Sequence, residues 1–201
     1  MTHFSPLRAA VLVACVGLAT GALTLIGQKF MPGEWNTLVN SGAVWLVPAF
    51  LVGSRMPTRR WAAGAGLGTL LATLLGYYVP ALLRGTAESL YFIALWACAA
   101  FVAGPLYGLA GSWWRADRRS LRVASLALLG GVLVAEGSYL VWGLRYHASG
   151  WSMIAAGVLA ALLLARSGRD RLYTALALPL AVGAALAAYG VIAWLSVLPA
   201  R

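Results

Sequence analysis

Apolar residues run in long blocks along this chain, broken by short clusters of arginine, glycine and proline, and the blocks are too long for a water-soluble core. Counting them between charged and turn residues gives seven candidate spans, at about 9–27, 38–54, 61–83, 89–113, 121–144, 151–165 and 172–198. Most reach the ~20 residues a helix needs to cross a bilayer; the second and sixth are shorter. The pattern predicts an all-α polytopic transmembrane bundle of about seven spans, or six if 151–165 is re-entrant. The connections leave no room for a soluble domain, so residues 1–201 are expected to form a single integral membrane domain.

Composition agrees with this reading. The chain is 62% hydrophobic and 10% charged, where a soluble domain carries about 25% charged residues. A globule of this size needs more polar surface than that. The net charge of +10 does not point to nucleic acid, because the basic residues sit between apolar runs rather than on one soluble face. All of the 15 basic residues except Lys29 are arginine, and the abundance of Ala, Gly, Val and Leu suggests a GC-rich bacterial source.

The same residues set a topology. Arg8, Arg55, Arg59, Arg60, Arg115, Arg118, Arg119, Arg122, Arg166, Arg169 and Arg171 fall on one side of the spans, against Lys29, Arg84, Arg145 and Arg201 on the other. The positive-inside rule makes the first side cytoplasmic, with the N-terminus inside and a multi-pass location in the bacterial cell membrane. Cys15 and Cys98 lie in apolar runs and read as small buried hydrophobes rather than a disulfide. Arg8 stands too close to Cys15 for a cleaved signal segment, so the first run reads as an uncleaved span.

Against that background one residue stands out. Glu136 lies inside the run 129–143; a charged side chain at such a depth costs about 3 kcal/mol on insertion scales and normally faces protein, a cavity or a counter-ion. Glu136, Tyr139, Gly143 and Tyr146 follow helical spacings of three, four and three, which predicts a shared face of one carboxylate and two phenols. Other polar and aromatic residues gather in the outer halves of the spans, including Asn40, Trp45, Tyr77, Tyr78 and Tyr189. The expected site is an outer-leaflet pocket, with Glu136 anchoring a small cationic or amine-bearing ligand, Tyr139, Tyr77 and Trp45 walling it, and Asn40 supplying a hydrogen bond. The alternative is that Glu136 pairs with Arg84 or Arg145 and holds the bundle together.

Small residues recur at packing distance, among them Ala10, Ala14, Gly17 and Gly21 in the first span and Gly104 and Gly108 in the fourth. Ala10, Ala14 and Gly17 are the candidate interface with another membrane subunit; a partner-binding or structural role without a ligand is the second functional reading. A third is an intramembrane hydrolase using Ser41 and His147, although Val39 occupies the first glycine place of the rhomboid Gly-x-Ser-Gly pattern. The two histidines and two separated cysteines form no metal-ligand cluster, and no phosphate-binding loop or other cofactor motif is present. The loop at 28–37, with its Pro32-Gly33 turn, reads as a connector or a lid.

Through Asn40-Ser-Gly-Ala-Val-Trp45, Gly104-Pro-Leu-Tyr-Gly-Leu-Ala-Gly-Ser-Trp-Trp-Arg115 and Ala135-Glu-Gly-Ser-Tyr139, the chain resembles a family of bacterial multi-pass membrane proteins known only as a domain of unknown function. More distantly it is similar to the substrate-capturing subunits of energy-coupling-factor transporters, which hold a vitamin or metal ion near the outer face under the loop joining their first two helices. That resemblance implies six helices and a membrane coupling subunit met through an Ala-x-x-x-Ala step, here Ala10 to Ala14.

Overall fold

The computed structural model describes residues 5–85 and 89–197, and every regular element among them is helical. In chain order these are α1 (Pro6–Phe30), α2 (Trp35–Val39), α3 (Gly42–Gly53), α4 (Arg59–Leu83), α5 (Leu90–Trp114), α6 (Arg119–Ser138), a π-type turn (Tyr139–Gly143), α7 (His147–Leu163) and α8 (Gly168–Ser196). Among the described residues, six segments are long and apolar enough to cross a membrane: α1, α2 with α3, α4, α5, α6 with its π-type turn, and α8. This is a multi-pass membrane protein. The remaining expected run, the sixth, is α7, an apolar helix of 17 residues that reaches roughly 26 Å at 1.5 Å per residue, slightly less than the ~30 Å hydrocarbon layer.

Local chemistry sets the helix starts. Thr58 accepts the Trp61 N–H at the head of α4, and Ser167 accepts the Asp170 N–H at the head of α8, satisfying donors that a helix leaves unpaired in its first turn. The second apolar run is interrupted at Asn40, which ends α2. Ser41 then opens α3 by accepting the Val44 N–H at 3.1 Å.

The chain divides into two compact units. The unit drawn from 1–30 and 45–112 holds α1, most of α3, α4 and nearly all of α5. Glycines bring its helices into backbone contact. A methyl at Gly108 would collide with the carbonyl oxygen of Ala62, one at Gly66 with that of Gly104, and one at Gly111 with that of Phe50. Where lipid provides no hydrophobic drive between helices, this close approach is what holds them. Trp45 donates its indole N–H to Thr24 Oγ1 at 3.0 Å and tilts over Tyr77 at 5.8 Å between ring centres, so its polar end is satisfied within this unit.

In the unit drawn from 31–44 and 113–201, α6 is the most buried helix and is flanked by α7 and α8. Gly130 and Gly137 pack against Gly157 and Gly150 of α7, and Gly131 against Ala181 of α8. At the head of α8, Asp170 is fully buried and binds Arg122 at 2.9 Å and Arg119 at 3.2 Å, tying α6 to α8. Beyond Asp170 and Thr174, little of α8 is buried. Cys15 and Cys98 depart from expectation: both are exposed, because α1 and α5 each bury only a minority of their surface.

Candidate functional site

Helix α6 carries Glu136 roughly 26 Å from Arg119 at 1.5 Å per residue, deep in the half remote from the arginine cluster. The residue is only 8% exposed. Its Oε2 accepts the Ala43 N–H at 2.7 Å and also the Tyr189 hydroxyl from α8, with Ser41 and Gly42 beside the same carboxylate. Ala43 is the second residue of α3, and its N–H has no carbonyl available within its own helix. The carboxylate therefore completes the first turn of α3 and meets the positive end of that helix's dipole. The arginine pairing that sequence left open is not what holds it: neutral donors do.

A second carboxylate plays a matching part. Glu34 accepts both the N–H and the hydroxyl of Ser149, each at 3.2 Å. Ser149 is the third residue of α7, whose cap residue Tyr146 offers no side-chain bond. Thus an acid in the loop caps α7, and an acid in α6 caps α3. The loop itself is not bare connector, since it contains α2, lies against α7 and turns through Gly33 at a φ of +56°.

The face expected to join Glu136, Tyr139 and Tyr146 does not continue past Tyr139. From Tyr139 the helix widens: the Leu144 N–H reaches back five residues to the Tyr139 carbonyl at 3.2 Å, and the Tyr146 N–H reaches six back to Leu140 at 2.9 Å. Spacings of three and four no longer superpose across such a turn. Tyr139 is 42% and Tyr146 37% exposed. The Tyr139 ring also covers Gly143.

The remaining expected residues divide between the units. Asn40 is exposed at the end of α2, next to Ser41. Trp45 and Tyr77 form their own ring pair in the other unit. Ala10 and Ala14 are exposed on α1, whereas Gly17 is buried against Thr69 and Ala72 of α4. Ser41 faces Glu136 and the α3 backbone while His147 is exposed at the start of α7, and no hydrogen bond joins the two. Among the described residues no three or more His, Cys, Asp or Glu side chains group as metal ligands would. Reading the sequence alone left out the partners Ala43, Tyr189 and Ser149 and the Asp170 clamp. Only Asp170 had a visible signal, an acid set among arginines.

Comparison with known proteins gave no match among curated proteins and none among solved structures. The model of a family of unknown function, DUF6518, matches residues 2–196, and the chain belongs to that family.

Proposed function

We propose that this protein is a small-molecule binding or transport component of the bacterial cell membrane, with Glu136 as the anchor for a cationic or amine-bearing ligand. The observation that carries the reading is the way the acid is held. Its bonding partners are neutral, backbone amides of the α3 start and the hydroxyls of Tyr189 and Ser41, and they orient the carboxylate without cancelling its charge. A buried acid held that way is best neutralised by a cation or a proton. Asn40 and Tyr139 complete the proposed contacts from the same unit.

Replacing Glu136 with Gln separates ligand binding from architecture, since the amide oxygen still accepts from Ala43 and Tyr189 while the charge is gone. In mild detergent, a panel of primary and quaternary amines should raise the melting temperature of the unchanged protein. The Gln variant should insert and purify normally and show no such rise. Equal responses from both proteins, or a Gln variant that fails to fold, would assign Glu136 to holding helices together instead.

A further inference from the structure

In the unit containing α1 and α4, the two helices lie in tight contact over most of their length and separate toward their first turns. Gly17 and Gly21 of α1 press on the α4 backbone, and a methyl at Gly68 would meet Val13 at 2.9 Å. One turn earlier in α4, Gly64 faces open space with nothing within 4 Å. The result is a groove of about 430 Å³ walled by Ala9, Ala10 and Val13 of α1 and by Gly64 of α4, with Arg60 and Trp61 at its lip. Arg60 and Trp61 are exposed, and Arg60 makes no ion pair with a described residue. Arg8, Arg55 and Arg59 share this side by the same positive-inside assignment.

We propose that this groove binds an anionic phospholipid of the leaflet on the arginine-rich side, which the positive-inside rule makes the cytoplasmic one. An acyl chain lies along the apolar walls, over the floor that Gly64 leaves open. The phosphate meets Arg60, whose planar guanidinium matches phosphate oxygens in pairs. Basic pockets between membrane helices on the cytoplasmic side suit such headgroups, and Trp61 stands where an interfacial ring is at home. Charge selects the occupant: the four arginines at 8, 55, 59 and 60 favour an anionic lipid over a zwitterionic one.

Native mass spectrometry of the full chain in mild detergent tests this, with phosphatidylglycerol and phosphatidylcholine of matched chains as probes. Phosphatidylglycerol should be retained at least about five-fold better, and Arg60→Gln should remove most of that preference, as expected for one basic contact at a membrane surface. Gly64→Leu, which puts a side chain into the open floor, should lower retention of both lipids while leaving the melting temperature unchanged. Equal retention of the two lipids, or wild-type retention by both variants, would overturn the proposal. So would competition by inorganic phosphate alone, or release of a co-purifying membrane subunit by Gly64→Leu with lipid retention intact.

Discussion

At the scale of single residues, the chain places an acid where hydrocarbon disfavours it and offsets that cost with donors that would otherwise be unpaired. The Ala43 N–H belongs to the first turn of α3, so binding Glu136 satisfies donor and acceptor together. Tyr189 supplies the second donor from α8. Tyr189→Phe keeps the ring and removes only the hydroxyl, leaving a buried carboxylate one bond short. It should lower stability by about 1–3 kcal/mol, measurable as a lower melting temperature in detergent. A variant as stable as the parent would mean that Ala43 and its neighbours suffice to hold the acid.

At the scale of elements, glycine determines which helix faces meet. The sequence contains several small-residue stripes, and packing separates those that are used from those that stay open. Gly108 sits against the Ala62 carbonyl, whereas Gly183 on α8 has nothing within 4 Å. Gly108→Leu should therefore wedge α4 from α5 and cost about 2–3 kcal/mol, while Gly183→Leu should change stability by no more than about 0.5 kcal/mol. Thermal denaturation of the pair side by side checks this; similar losses at both sites would deny the contact its importance. The π-type turn after α6 is an element-scale effect of another kind. One widened turn moves Tyr146 off the Glu136 face, although its spacing in sequence fits an unbroken helix.

For the whole molecule, the path of the chain across the bilayer turns on α7. At 17 residues α7 is the shortest of the apolar helices that could cross, yet arginines at 166, 169 and 171 follow it directly. If it crosses, positions 145 and 166 lie on opposite sides. In a background with Cys15→Ala and Cys98→Ala, single cysteines introduced as Arg145→Cys and Arg166→Cys should react with a membrane-impermeant maleimide from opposite faces, the first from outside. Labelling of both from one face would make α7 re-entrant and leave six crossings.

Much of this protein is decided locally and is therefore visible in its sequence. Lipid demands apolar side chains over a whole span and internally satisfied backbone, so the helical class, the span positions and the arginine-rich side follow from runs of residues alone. The cost of charge in that medium is equally local, and it singles out Glu136 without any structure. What only the tertiary structure decides is the company each residue keeps. Ala43 and Tyr189 stand 93 and 53 positions from Glu136, and Glu34 stands 115 from Ser149; no helical period links such distances. Which stripe of glycines meets which helix, and where a helix widens, depend on the simultaneous fit of several surfaces, which no single stretch of chain contains.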